Sequence, residues 1–319
     1  MSTQVITQYR PMVTPTPSAG HAIDSRRGYA MLLMVVSSVV ISFGGLVMRN
    51  IEVADPWQIN FYRSGAMLAA VTVILLLRYR GSALSVVANI GRLGVLGGAL
   101  LSVAGIAFIQ ALVSTTVANA LFMLGGIPFF AALFARIFLK EKLRRTTLAT
   151  MLVAACGLGI MLWEGLGAGS GYGNAMALLT SLSFALYAVV VRYKRQTEML
   201  PTLLLSSIII MLIALVANSG DLYVPLHDLL LCFLWGAGLS GLVNWMFIIA
   251  SRHLAAAEVT LIMLLEFALG PVWVWLFVGE TPGLGTLAGG TLIIFAVALR
   301  AIIEMIKKPK PEQTMSGPV

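Results

Sequence analysis

The chain has 319 residues, of which 59% are hydrophobic and 11% charged, with a mean hydropathy of +0.94 and a formal net charge of +8. Globular domains average roughly 25% charged residues, and no soluble core could hide so much apolar surface. The composition excludes a water-soluble protein and points to one that uses lipid as its solvent.

Residues 1–27 hold Pro11, Pro15 and Pro17 among scattered polar residues and end on Arg26-Arg27. With no short apolar core and no small-residue cleavage site, they read as a disordered tail rather than a leader. Ten apolar stretches follow, at 29–48, 57–77, 93–113, 116–139, 146–163, 174–191, 202–218, 229–250, 256–278 and 285–303. As a helix, about twenty residues cross a hydrocarbon layer of about 30 Å. Open sheet edges cannot be satisfied in lipid and the alternation of a membrane barrel is absent, so the expected fold is an all-α integral membrane protein with ten transmembrane helices. Asp55-Pro56 opens the second span, Pro201 the seventh, and Thr281-Pro282-Gly283 divides the last two. A Gly-rich stretch over 164–172 reads as a flexible linker, because no strand precedes it and it lacks the lysine of a phosphate loop. Residues 305–319 form a basic, Pro-containing tail.

Lys and Arg are retained on the cytoplasmic side of a membrane protein. With the N-terminus inside, Arg26-Arg27, Arg78, Arg80, Arg92, Lys140 to Arg145, Arg192, Lys194, Arg195, Arg252 and Lys307-Lys308-Lys310 all fall there. The other side keeps Arg49, with Glu52, Asp55, Glu164, Asp221, Asp228 and Glu280. Both termini are therefore expected to be cytoplasmic, in a bacterial-type inner membrane. Topology accounts for the positive charge without a nucleic-acid partner, and the basic joints suit anionic lipid headgroups. Cys156 and Cys232 lie inside spans without paired spacing and read as packing residues. His21, His227 and His253 are scattered, so neither a metal site nor a cofactor is indicated.

The chain reads as two related halves. Gly28, Ala30, Met31, Leu33 and Ser38 recur as Gly173, Ala175, Met176, Leu178 and Ser183, and Ala118, Phe138, Glu141 and Thr147-Leu148-Ala149 recur as Ala257, Phe277, Glu280 and Thr286-Leu287-Ala288. Two copies of five spans, over 28–163 and 173–304, follow. An odd number of spans per copy inserts the second upside down, the inverted repeat common among secondary transporters.

Three segments carry a resemblance to a known family. These are ADPWQINFYRSG at 54–65, ALVSTTVANALFMLGGIPFFAALFARIFLKEKL at 111–143 and ASRHLAAAEVTLIMLLEFALGPVWVWLFVGETP at 250–282. They resemble the drug/metabolite transporter superfamily, specifically its EamA-type carriers of ten helices in two five-helix repeats. The resemblance implies a small-molecule substrate and makes the tenth-helix region a candidate homodimer surface. Much of the family has proline directly after the acidic residue of the ninth helix. Here Phe267 follows Glu266 and the proline is Pro271, so a helix break is expected a turn further on.

Glu266 is the sharpest candidate, because an ionisable group halfway through a span costs several kcal/mol unless it is paired, protonated or hydrated. Its repeat counterpart is Ile127, so the acid belongs to one half only, which favours a substrate or proton-coupling role over a structural partner. Arg63, two turns inside the second span, suits a substrate carboxylate; alternatively it snorkels or pairs with Glu52 or Asp55. Asn60, Gln110, Asn119, Tyr187 and Asn244 suit a small polar ligand or, more plainly, interhelical hydrogen bonds. Asn119 and Asn244 stand first, since the fourth and eighth helices line the central path in the resembled family. Phe43, Trp245 and Trp273 suit stacking on a flat substrate or an interfacial belt. Gly94 with Gly98 and Gly285 with Gly289 make small faces for close helix approach. No nucleotide-binding motif is present, and the reading is a secondary active transporter, working as an exporter by alternating access, with proton coupling through Glu266. A channel or lipid scramblase is the alternative. An intramembrane enzyme would need a convergent catalytic set at one depth, which the sequence does not offer.

Overall fold

A computed structural model of the chain describes residues 19–114, 120, 123–141, 145–165, 171–279 and scattered positions between 284 and 299. The regular structure among them is entirely helical. Helix α1 (Ala19–Ile41) is followed, after Ser42 and Phe43, by α2 (Gly44–Arg49), and then come α3 (Pro56–Tyr79), α4 (Ala83–Ala88) and α5 (Gly91–Ser114). Helix α6 (Ile127–Phe134) runs into a π-helical turn at Ala135–Leu139, and α7 (Arg145–Gly165), α8 (Gly171–Tyr193) and α9 (Leu200–Ala217) follow. Helix α10 (Leu226–Phe233) passes through a π-helical stretch, Leu234–Gly241, into α11 (Leu242–Ala250). Helices α12 (Ala256–Ile262) and α13 (Leu264–Val278) meet at Met263.

Seven helical segments are long and apolar enough to cross a bilayer: Arg26–Arg49, Pro56–Ala88, Gly91–Ser114, Gly171–Tyr193, Leu200–Ala217, Leu226–Ala250 and Ala256–Phe277. A shorter apolar helix covers Met123–Leu139. The ten expected spans thus reduce to seven among the described residues. The fifth coincides with α7, while the start of the fourth and most of the tenth lie outside the described residues, as do the basic tail and Glu280.

Apolar side chains cover the surface, and polar ones stand among the buried apolar residues of the interior. Leu77, Leu212, Val216 and Phe277 point outward, while Ser37, Ser38, Asn60, Ser64, Ser102, Ser206, Ser207 and Thr260 are buried. Outward apolar side chains meet lipid, and polar ones inside bond across helices. Helix α3 starts where Asp55-Pro56 predicts: the Asp55 carboxylate accepts from the amides of Trp57 (2.7 Å) and Gln58 (3.1 Å), and the Gln58 side chain takes the Asp55 amide. Such a capping box contributes about 1 kcal/mol.

Two expectations are corrected. The first helix begins at Ala19, inside the predicted disordered tail. Pro17 is the last proline before it, so nothing breaks the helix from there on, and Arg27 is tied to Glu258 at 2.9 Å. The break in the ninth span falls at Met263, a turn before Glu266, and α13 continues through Pro271. At that break the Glu266 amide bonds to the Met263 carbonyl, which frees the carbonyl of Ile262, and Ser38 on α1 donates to it at 3.1 Å.

Helix α1 packs on α11, α12 and α13, while α8 packs on α5 and α6. Helix α3 packs on α9 and on the π-helical stretch, α9 also on α5, and α6 on α12. The approaches are close where glycine allows. A Cβ on Gly98 would come within 2.9 Å of Leu205, whereas one on Gly94 would meet only Ile90 of its own turn. Of the predicted glycine pair in the third span, Gly98 makes a close helix contact, with Leu205 of α9.

Candidate functional site

Each end of the bundle is tied shut across the two halves of the chain, with different chemistry. At the acidic end the Asp228 side chain, 1% exposed, accepts from the backbone amides of Glu52 (3.2 Å), Val53 (2.8 Å) and Ala54 (2.9 Å). Gln58 donates to the Tyr223 carbonyl (3.1 Å), and the Tyr62 hydroxyl to that of Leu222 (2.5 Å). Together they clamp the segment before α3 to the segment before α10. Asp228→Ala is expected to remove the three hydrogen bonds that tie the two segments together and to lower the melting temperature of the purified protein, read by tryptophan fluorescence.

At the basic end Glu258 is buried on α12, where it takes Arg27 at 2.9 Å, Thr147 at 3.4 Å and the Ala255 amide at 3.2 Å. Glu141 pairs with Arg192 at 2.9 Å, and Arg192 also donates to the Ser251 and Arg252 carbonyls. Glu198, in the loop before α9, receives the Tyr79 hydroxyl (2.5 Å), Arg252 (3.1 Å) and the Leu200 amide (3.2 Å). Burial pushes the Glu198 carboxyl up, but the Tyr79 and Leu200 hydrogen bonds and the charges of Arg252 and Arg78 outweigh it and hold the group below the usual carboxylate range. A carboxylate depressed on folding stabilises fully above its unfolded pKa of about 4.3 and loses that contribution as pH falls through its folded value. Melting temperatures should therefore hold down to about pH 4.3 and fall below it, and Glu198→Gln should flatten that fall while lowering stability at pH 7.

Between these ends lies Glu266. It is half-buried on α13, and among the described residues its side chain has no hydrogen-bond or ion-pair partner. Residues four and seven positions on share its helix face. Gly270 sits with its Cβ direction 3.8 Å from the Ser42 carbonyl, and Trp273 donates to the Ser42 hydroxyl at 2.7 Å. The Glu266 face of α13 therefore looks onto α1 rather than onto lipid.

Toward the acidic end, aromatic rings roof this region. Phe43 stacks on Trp273, with centroids 4.6 Å apart and planes 13° from parallel, and packs on the buried cluster that contains Trp235, against which Gly44 lies directly. The Arg63 guanidinium lies 5.4 Å from the Trp235 ring centroid. It pairs with neither Glu52 nor Asp55, which corrects the ion-pair expectation: Asp55 is spent on its own helix cap.

Asn60 is fully buried with both amide atoms unpartnered. Tyr187 is also fully buried, stacked on Phe247 (5.8 Å, 16°) with Phe184 beside it, so it stands in the packed wall and not on an open space. Asn244 donates to the Ser240 carbonyl of its own helix at 2.9 Å, and Trp245, half-buried, has an unpartnered indole N–H. Gln110 is buried on α5. Asn119 lies outside the described residues. Cys232 is buried, whereas Cys156 is exposed and is not the packing residue expected. Among the described residues no group of three His, Cys, Asp or Glu side chains is placed to hold a metal.

The structure thus joins Phe43 to Trp273 and sets Glu266 two turns along the same helix. It adds Trp235, Asp228, Glu198 and Ser38, which sequence reasoning did not select.

A multi-pass helical bundle with lipid-facing apolar sides, polar interior positions and two latched ends is the architecture of a membrane transporter. The model of the EamA-like transporter family matches twice, over residues 28–163 and 171–301, and the chain belongs to that family, within the drug/metabolite transporter superfamily. It is 27% identical over 274 residues to the pseudopaline exporter CntI of Pseudomonas aeruginosa strain UCBPP-PA14, and 28% identical over 278 residues to that of strain PAO1. Each match covers 83% of this chain and 93% of the relative. A solved crystal structure matches with a TM-score of 0.71 at 17% identity, covering 87% of this chain and 98% of the other; at that identity the likeness shows the fold alone.

Proposed function

We propose that the chain is a secondary carrier that exports a small polar or amphipathic metabolite, an amino acid, an amine or a related compound, across the cytoplasmic membrane by alternating access, with Glu266 coupling flux to protons. Ten helices in two inverted halves, 28–163 and 173–304, with both termini cytoplasmic, rock about the region beside Glu266.

The observation that carries this reading is the pattern of helix contacts. Exchange of the two halves would turn the α1–α11 contact into α8–α5, the contacts of α1 with α12 and α13 into α8–α6, and the contact of α3 with the π-helical stretch into α9–α5, while α3–α9 and α6–α12 would map onto themselves; every one of these pairs is present. The exchange reaches individual bonds. Ser38 of α1 donates to the Ile262 carbonyl at the break beside α13, and on α8 Ser181, two residues before Ser183, the counterpart of Ser38, donates to the Met123 carbonyl at the turn before α6, so the acceptors correspond while the donors differ by two positions. Ile262 and Met123 are equivalent under the offset that relates Ala257 to Ala118.

The latches at both ends cross between the halves, as a rocking carrier requires: one must open while the other holds. Export as the direction is supported by the relatives, which are named exporters.

Counterflow in proteoliposomes tests the carrier against its alternative. A carrier preloaded with unlabelled substrate accelerates uptake of labelled substrate and saturates, whereas a channel or a lipid scramblase does neither. Absence of counterflow with a substrate that binds would overturn the reading.

A further inference from the structure

The apolar helical run Pro56–Ala88 has 33 residues. As one straight helix it would measure about 50 Å, against a hydrocarbon layer of about 30 Å. A turn takes up the excess. Helix α3 ends at Tyr79, Arg80 takes a positive φ of 45°, and α4 follows as a short helix of its own, with a second positive φ at Gly91 (67°) before α5 runs back. Helix α3 alone is long enough to cross, so the connection from Arg80 to Gly91 lies at the membrane surface, at the basic end.

Along that connection apolar and cationic side chains are exposed together. On α4, Ala83 is buried and Val86 and Val87 pack on the core, while Leu84 is 84% exposed. Leu76 and Leu77 near the end of α3 also point outward. Arg80 and Arg92, which flank α4 in the chain, are exposed as well, and among the described residues neither has a hydrogen-bond or ion-pair partner. Arg78, by contrast, is engaged by Glu198 at 3.9 Å. No Asp or Glu occurs from Arg78 to Lys140, so nothing in this part of the sequence neutralises the two arginines.

We infer that α4 with Arg80 and Arg92 is a binding surface for anionic phospholipid, Leu84 entering the acyl region and the two guanidinium groups meeting headgroup phosphate. Arginine offers the paired donors that a phosphate accepts, and an anionic leaflet draws basic side chains to its surface. The apolar side chains select the source of the phosphate: a dissolved phosphate or nucleotide would leave Leu84 and Leu77 in water, whereas a lipid covers them. Charge selects the lipid. Phosphatidylcholine carries its own cation, while phosphatidylglycerol leaves a net negative charge for the arginines. Arg80 adjoins Tyr79, which donates to Glu198, so a lipid held there also steadies the end of α3 that carries part of the basic-end latch. The surface is independent of what the carrier moves.

The test uses the full chain in a neutral detergent, with thermal shift as the readout and three probes: a short-chain phosphatidylglycerol, the matching phosphatidylcholine, and glycerol 3-phosphate, which has the phosphate and no acyl chain. Phosphatidylglycerol is expected to raise the melting temperature at about tenfold lower concentration than phosphatidylcholine, and glycerol 3-phosphate to have no effect. Arg80→Gln combined with Arg92→Gln should remove most of that preference, and Leu84→Ser should weaken the action of both lipids. Arg136→Gln combined with Lys140→Gln, which removes two other exposed cations, should leave the preference intact.

Equal action of the two lipids, a preference unchanged in the double variant of Arg80 and Arg92, loss of the preference in the Arg136 and Lys140 control, or a shift by glycerol 3-phosphate as large as that by phosphatidylglycerol would each overturn the surface. Should the double variant fail to fold, Arg92→Gln alone must lower the preference, and an unchanged value overturns the inference.

Discussion

Glu266→Gln abolishes the dependence of flux on a proton gradient while counterflow at equal pH continues. That outcome is expected because the substitution keeps the size and hydrogen-bonding capacity of the side chain and removes only its ability to take and release a proton. The residue stands on a face of α13 turned to α1, next to a break at Met263 that leaves the helix able to bend, and no other side chain among those described neutralises it. A charge so placed costs several kcal/mol unless it is protonated, paired or hydrated, so its state is tied to which side the site faces. Flux measured at several internal and external pH values in proteoliposomes decides the matter. Unchanged coupling in the folded variant removes Glu266 from the mechanism.

Among the described glycines, Gly236→Ala should be the most damaging single methyl. A Cβ there would lie 2.0 Å from the Arg63 carbonyl oxygen and 2.8 Å from the Ala66 methyl. The first obstacle is backbone, which cannot swing aside as a side-chain tip can, so α3 and the π-helical stretch must separate by about an ångström. Overpacking of this kind costs about 1–3 kcal/mol or more, and here it also moves Trp235 off the Arg63 guanidinium. Expected results are a sharp drop in detergent-extractable, monodisperse protein and loss of transport. Gly238→Ala, which meets only Leu234 of its own helix at 3.6 Å, is the matched control and should be nearly silent.

How much of this could be read from the chain depends on whether the signal was local. Helix α3 starts where Asp55-Pro56 says it must, because a cap and a proline act on the next turn. Glu266 stood out because one acid in an apolar run needs no partner to be noticed. The contact of Arg63 with Trp235 was invisible, since the two residues belong to different halves and no spacing links them.

Proline was the only sequence sign of a broken helix, which directed attention to Pro271. The break came at Met263 instead, where a hydroxyl from another helix takes the freed carbonyl. The same limit hid Asp228, which reads as a polar residue at a span end until the amides of Glu52, Val53 and Ala54 are folded onto it. Tyr187 stood out as a tyrosine within a span; that its ring packs on Phe247 and Phe184 while its hydroxyl has no partner among the described residues depends on other helices and has no local sign.

The two latches differ in what dissolves them. The bond set around Asp228 joins one sheltered carboxylate to backbone amides and carries little dependence on dissolved ions. The pairs of Glu141 with Arg192 and of Glu198 with Arg252 and Arg78 join partly exposed charges that electrolyte screens within a Debye length of about 8 Å at physiological strength. In the proposed carrier, raising ionic strength would weaken those pairs, while the buried Glu258–Arg27 pair and the Asp228 bonds hold. A carrier working as proposed would therefore show a salt-dependent bias between its two faces.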